Sequence, residues 1–124
     1  MGKILVTGAT GFIGSHLCLV LLKKGYEIVA IDSFENSSPE SLKRVLKILK
    51  SHKNINAESL KLIKGDIRDQ VFINKVFEDT FNKGKSIKAV IHLAGLKSVV
   101  DSIREPIKFW DYNVLGSINL FKIM

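Results

Sequence analysis

The segment Lys3-Ile-Leu-Val-Thr7 runs straight into Gly8-Ala-Thr-Gly11-Phe-Ile-Gly14, and an amphipathic run from Ser15 to Lys24 follows. No other part of the chain restricts the fold as tightly. A short apolar strand that hands the backbone to spaced glycines and then to a helix lets a diphosphate approach the main chain. The anion then rests at a helix N-terminus, where unpaired N–H groups and the helix dipole favour negative charge. The spacing is G-x2-G-x2-G rather than the G-x-G-x2-G of the older dinucleotide fingerprint. A tight structural turn accounts for any one of Gly8, Gly11 and Gly14 taken alone. Their place between a strand and a helix is what points to a dinucleotide. Phe12 and Ile13 follow the second glycine, where their backbone N–H groups can face phosphate. The strand begins at the N-terminus, so no signal segment is expected ahead of it.

Strand and helix patterns then alternate. Strand one is read over Lys3–Thr7 and helix one over Phe12–Lys24, ended by Gly25 as a left-handed cap. Strand two takes Glu27–Asp32, and 33–37 is a mostly polar loop. Helix two opens with Ser38 as N-cap and Pro39 at the first helical position. Its apolar stripe is Leu42, Val45, Leu46 and Leu49. Strand three is Leu60–Lys64. Asp69 caps helix three, whose inner face includes Ile73, Val76 and Phe77, and Gly84 helps to end it. Strand four is Ala89–His92. A loop over 94–102 follows, and helix four runs from near Pro106 to Met124.

This alternation predicts an α/β protein with a Rossmann-type doubly wound parallel sheet and right-handed crossovers. The expected strand order is 3-2-1-4, with a crevice at the strand C-termini between strands one and four. Strands one, two and four are continuously apolar, as expected when helices cover both faces. Helix four carries the stripe Ile107, Trp110, Val114, Ile118 and Phe121, with Leu115 and Leu120 elsewhere on its surface. An apolar surface that wide predicts extensive burial or a partner. The pattern reaches Met124 without a cap, so the chain is expected to be one part of something longer and its sheet incomplete.

The 124 residues suit one domain over 1–124, with 46% hydrophobic and 25% charged residues as in ordinary globular proteins. No apolar run reaches about 18 residues, so no membrane span is expected. The single cysteine, Cys18, falls within helix one and reads as core rather than as a reactive thiol. With no secretory pattern and no internal disulfide, a cytoplasmic location is expected. The net charge is +7, and much of it sits in Lys43, Arg44, Lys47, Lys50 and Lys53. Without aromatic interleaving or a nucleic-acid module, that face reads as solvated, and no nucleic-acid partner is expected. The histidines and the cysteine have no metal-ligand spacing, so no metal is expected.

Several polar and small residues fall at the strand C-termini. Asp32 ends strand two, where a carboxylate can accept from an adenosine ribose diol and repel a 2′-phosphate, with no adjacent arginine to compensate. That favours NAD over NADP, although Asp32 also suits a simple strand-end turn. Asn36 and Ser37 can add contacts to the ribose or merely punctuate the loop. Asp66, after strand three, can accept from an adenine exocyclic amine while Ile67 lines the ring, or can serve as a turn aspartate. Leu93, Ala94 and Gly95 follow strand four and let a dinucleotide pass close to the backbone. Lys97 can reach phosphate or the nicotinamide ribose, or can be solvated. His92 reads as a satisfied structural histidine rather than a base.

The segments Val6-Thr-Gly-Ala-Thr-Gly-Phe-Ile-Gly-Ser-His16, Gly65-Asp-Ile-Arg-Asp69 and His92-Leu-Ala-Gly-Leu-Lys-Ser98 resemble the extended short-chain dehydrogenase/reductase superfamily. Within it, Ala94-Gly-Leu-Lys97, then Ser102-Ile-x-x-Pro106 and Asn113-Val114, is similar to the UDP-glucose 4-epimerase family. The resemblance covers the whole chain, which is about the first third of that family's length. It implies NAD contacts at the residues above and at Ser33, and a cofactor or structural role for Asn113. It also implies interconversion of UDP-glucose and UDP-galactose through a transient 4-keto sugar, a UDP-sugar substrate and a homodimer. Phe12 stands where a tyrosine is common, and Tyr112 where some members carry an asparagine near the cofactor.

The family's chemistry depends on a Tyr-x-x-x-Lys pair. Here Ala30 stands four residues after Tyr26 and Gly116 four after Tyr112. No catalytic residue is therefore assigned, and the chain alone is expected to be inactive as an isomerase. Two other readings stay open: another NAD-dependent nucleotide-sugar epimerase or dehydratase, and a non-catalytic NAD-binding module.

Overall fold

The computed structural model describes residues 2–50 and 56–124. Its four strands are β1 (Lys3–Thr7), β2 (Ile28–Asp32), β3 (Leu60–Lys64) and β4 (Ile87–His92), all parallel, in the order β3-β2-β1-β4. That is the expected order, and it puts the C-terminal ends of all four strands on one rim. The helices α1 (Phe12–Lys23), α2 (Glu40–Leu49) and α3 (Gln70–Asn82) connect successive strands.

Their ends follow from local chemistry. Gly25 and Gly84 take φ values of +84° and +76° just past α1 and α3, a conformation that costs glycine little. Pro39 already has helical dihedrals, and the Ser38 hydroxyl accepts the N–H of Glu40 at 3.3 Å, the capping role its position predicts. The Asp69 carboxylate accepts the N–H of Phe72 at 3.0 Å. Lys53, expected on the basic face of α2, lies outside the described residues.

The core has two halves because neighbouring strand residues point to opposite faces. Val6, Ile28 and Ala30 pack with Cys18 and Leu22 of α1 and with Leu42, Val45 and Leu49 of α2. Leu5, Val29 and Ile31 pack on the other face with Ile73 and Val76 of α3 and with Leu120. This double coverage is why β1 and β2 read as unbroken apolar runs. Burial pushes the Cys18 thiol up to about 12, so it is a core side chain at neutral pH.

β4 departs from the expectation that both its faces are covered. Lys88 and Ala89 are exposed, and Val90, Ile91 and His92 are only partly buried. The strand lies at the edge of the described sheet, where only Ile91 joins the cluster built with α1 and α2. It also starts two residues before Ala89. The register jumps from Lys3–Ile87 to Ile4–Ala89, a bulge that lets the ladder pass Lys88 and hides the strand's start from alternation.

The loop expected over 94–102 contains the start of a short helix, α4 (Val99–Arg104), capped by the Ser98 hydroxyl, which accepts from the N–H of Asp101 at 3.2 Å. Glu105, preceding Pro106, leaves the helical region with φ −129° and ψ 57°, as a following proline favours. The expected fourth helix is α5 (Pro106–Trp110), a π turn over 111–115, and α6 (Gly116–Ile123). Its inward face is Gly116, Asn119 and Leu120. The stripe expected to be buried or to meet a partner is not buried by this chain and faces outward, with Ile107 78% and Trp110 65% exposed.

Candidate functional site

At the glycine turn, the ladder of α1 begins with Ser15 N–H donating to Gly11 O at 2.9 Å. The N–H groups of Phe12, Ile13 and Gly14 precede it and have no carbonyl partner among the described residues. They form the ready-made anion site of a helix N-terminus. Gly8 takes φ +65°, and a Cβ there would stand 2.7 Å from Ala94 N and Leu93 C. A Cβ on Gly14 would run into Gly8 O, so that glycine serves the packing of α1 on the turn. Gly11 is different: a Cβ there would meet nothing in the chain nearer than Gly8 O at 3.4 Å. Its missing side chain leaves room in the crevice that it lines.

The crevice lies at the C-terminal rim. One wall is the loop after β2: Asp32, Ser33, Asn36 and Ser37, with Glu35. The far end is Gly65, Asp66 and Ile67. The opposite wall is Leu93 through Lys97, with Tyr112. Most of the sequence-derived candidates therefore meet in one place. Phe12, Ile13, Gly14 and Asn113 are not among the residues that line it. Phe12 is 77% exposed and borders a groove between α1 and α2, so only its backbone remains available to the crevice.

Asp32 is 8% exposed, and its carboxylate is held from three sides. Thr10 N–H donates to Oδ2 at 3.0 Å, and Phe34 N–H and the Ser37 hydroxyl donate to Oδ1 at 3.0 and 2.9 Å. The bond to Phe34 is made by a backbone at φ +62°, an uncommon conformation for a bulky residue. Two oxygens offer about four lone-pair sites, so three donors leave room for one more.

Asp66 is gripped by Arg68. The guanidinium donates to both carboxylate oxygens, with Nη2 to Oδ2 at 2.8 Å, and Arg68 N–H donates to Oδ1 at 2.9 Å. Partial burial pushes the Asp66 carboxyl up, but these bonds outweigh it and hold the group below its usual range. Arg68 also pairs with Asp111 at 2.5 Å and stacks over the Tyr112 ring, 3.6 Å from its centroid. The π turn carries three consecutive residues that all contact this rim, Asp111, Tyr112 and Asn113.

Asn113 braces the loop after β4. Its Oδ1 accepts Leu96 N–H at 2.7 Å, and its Nδ2 donates to Leu96 O at 2.9 Å. Its place in the structure is a support behind Gly95. His92 is the satisfied histidine expected. The Thr7 hydroxyl oxygen accepts the N–H groups of Leu93 and Ala94, both at 3.1 Å. Its own hydrogen therefore goes to His92 Nδ1, 2.6 Å away. His92 Nε2 then donates to the Ser117 hydroxyl at 2.8 Å, and Ser117 donates to Asn113 O at 2.6 Å. Burial pushes the imidazole below its ordinary value, in keeping with this neutral form.

Sequence reasoning passed over Thr7, Thr10, Glu35, Leu96 and Arg68. Thr7 and Thr10 stand inside the glycine turn itself, and hydroxyls beside a phosphate-type turn were the available signal. Among the described residues no group of histidine, cysteine and carboxylate side chains could hold a metal ion, and no helix is long and apolar enough to cross a membrane.

The donors present fit a dinucleotide: free helix N–H groups for a diphosphate, the Asp32 carboxylate for a ribose diol, and a side-chain-free Gly11 between them. Residues 5–124 match the family model described as GDP-mannose 4,6 dehydratase. A UDP-glucose 4-epimerase from Neisseria meningitidis serogroup B is 43% identical over 124 residues, which are all of this chain and 33% of the relative. The chain thus spans about a third of the length of such curated relatives. The structure of UDP-glucose 4-epimerase from Bifidobacterium longum in complex with NAD+ and UDP superposes with a TM-score of 0.84 at 38% identity, covering 98% of this chain and 33% of that one. The enzyme from Stenotrophomonas maltophila with bound NAD and formylated UDP-arabinopyranose gives 0.85 at 33% identity, covering 100% and 33%.

Proposed function

The chain belongs to the GDP-mannose 4,6 dehydratase family, and we propose that within it this is the NAD-binding part, over 1–124, of a UDP-glucose 4-epimerase. The observation that carries this reading is the meeting of the helix N–H groups, Asp32 and the loop after β4 around one crevice. Identity of 43% along the whole chain to an epimerase supports the choice of enzyme.

Bound in such an enzyme, NAD supplies the oxidising and reducing power for epimerisation at the sugar's C4. The residues of this chain hold and orient it. The N–H groups of Phe12, Ile13 and Gly14 receive the diphosphate, and Gly8 and Gly11 keep the approach open. Asp32, with Ser33, Asn36 and Ser37, takes the adenosine ribose. Asp66 and Ile67 border the adenine. Leu93, Ala94 and Gly95 form a close wall, braced by Asn113, and Lys97 reaches a phosphate or the nicotinamide ribose. None of them is assigned a proton-transfer role, since the Tyr-x-x-x-Lys pair is not in this sequence. We expect no turnover of UDP-galactose by these 124 residues alone.

The outward stripe of α5 and α6 supports a homodimer, because that much exposed apolar surface favours a partner. The lone buried thiol and the absence of a membrane-length helix among the described residues support a cytoplasmic setting. Calorimetric titration with NAD tests the reading: saturable binding is expected, and no binding at millimolar NAD refutes it.

A further inference from the structure

The loop after β2 contains a second carboxylate that the ribose assignment does not use. Glu35 lines the crevice together with Asp32, Ser33 and Ser37, and it also lines a second cavity just outside, between that loop and α5. It stands in the wall separating the two. Its N–H is tied to the Ser33 hydroxyl at 3.3 Å. Its Oε1 holds Lys108 Nζ at 3.3 Å, and Lys108 is also within 3.8 Å of Glu105. The hydrogen bond to Glu35 is the largest of the influences that raise the Lys108 ammonium.

Discrimination between the two nicotinamide dinucleotides is a question of charge beside one ribose. A 2′-phosphate needs a cation there, and a bare diol needs an acceptor. Several cations stand near this crevice, among them Lys64, whose ammonium lies 5.8 Å from the centroid of the Phe34 ring on the loop after β2. Arg68 is consumed by Asp66 and Asp111. Lys97 lines both cavities and has no ion pair among the described residues. Lys108 borders the outer cavity, against the loop that carries Asp32.

We propose that Glu35 is a specificity-determining residue, which disfavours a 2′-phosphorylated dinucleotide by holding Lys108 in an ion pair and by adding negative charge beside Asp32. Without Glu35, the ribose end has one carboxylate fewer, and the Lys108 ammonium loses its anchor on the loop after β2. The ion pair links the loop after β2 to α5, so it also fixes where that ammonium stands. This inference rests on NAD occupying the crevice.

The test is a set of calorimetric affinities for NAD and for NADP, measured on the wild-type chain, Glu35→Gln, Lys108→Ala and the double variant. Both side chains are partly exposed, so the fold tolerates their replacement. Glu35→Gln is expected to shift the NADP-to-NAD affinity ratio toward NADP by about fivefold, the scale of one solvent-exposed ion pair. Lys108→Ala is expected to shift it the other way, and the double variant to return toward wild type. The shift should shrink as salt is raised. An unchanged ratio in Glu35→Gln, or a double variant that keeps the whole gain, overturns the proposal. A wild-type chain that binds neither dinucleotide overturns the crevice reading itself, and this inference with it.

Discussion

β2 and β4 flank β1 on opposite sides and carry equally apolar sequences, yet they live in different environments. All five residues of β2 are buried, with helices on both faces. β4 has none buried, and the apolar stripe of α5 and α6 beyond it stands in solvent. An apolar run states that a segment has to be covered, not what covers it. On the β2 side the cover is α1, α2 and α3 of the same chain. On the β4 side the cover is partial: Ile87 and Val90 join the cluster of α3 and α6 side chains, and Ile91 reaches the cluster on the other face.

The largest expected effect comes from emptying the covered side. Ile31→Ala removes a side chain packed among Ile73, Val76 and Leu120 and should cost about 2–5 kcal/mol in denaturant unfolding. Val90→Ala, on the half-covered strand, should cost far less. Equal costs would erase the contrast. Next is Asp32→Ala, which removes a buried charged acceptor from Thr10, Phe34 and Ser37 and should weaken NAD binding by about 10- to 100-fold. Unchanged calorimetric affinity would count against the ribose assignment. On the open side, Trp110→Asp should leave unfolding midpoints nearly unmoved while abolishing self-association in light scattering. If the wild-type chain is already a clean monomer, the stripe does not bring two copies together.

The smallest expected effect is a pH dependence through His92, which touches both sides. Its folded value lies below the ordinary 6.5. The unfolded chain therefore takes up the proton first as pH falls, and stability is lost from about 6.5 downward until the folded group also protonates. Thermal midpoints across that window should decline in wild type and flatten in His92→Gln. The loss should stand apart from a more acidic one, where Asp66 gives up its bonds to Arg68 as it protonates.

The covered side was also the legible side. Two apolar faces, a cap at Ser38 or Asp69 and a glycine at Gly25 or Gly84 all mark boundaries that local chemistry settles. The strand order followed from alternation, and the crevice from its topology. The β4 side resisted because each of its features breaks a period. A bulge at Lys88 disrupts strand alternation. The Ser98 cap lies within what reads as a loop, and the β-branched, exposed Val99 and Val100 disguise the helix after it. The π turn rotates the following residues out of helical phase, so Leu120 rather than the stripe from Ile107 to Phe121 turns inward. The same turn brings Tyr112 to the crevice and Asn113 to Leu96, which a regular helical repeat does not anticipate. Thr7 and Thr10 were hidden differently: their roles are bonds to residues far along the chain, at His92 and Asp32.

The hydrogen bonds from Thr7 through His92 to Ser117 run in a single direction, because two amides fill the acceptor capacity of the Thr7 hydroxyl. Such a relay joins α6 to β1 and to the loop after β4 side chain by side chain. Ser117, His92 and Thr7 stand in series between α6 and the peptide groups of Leu93 and Ala94, and Leu93 N–H is shared with Thr7 O at 3.2 Å. The packing of α6 and the shape of the wall beside the glycine turn thus share one hydrogen-bonded path.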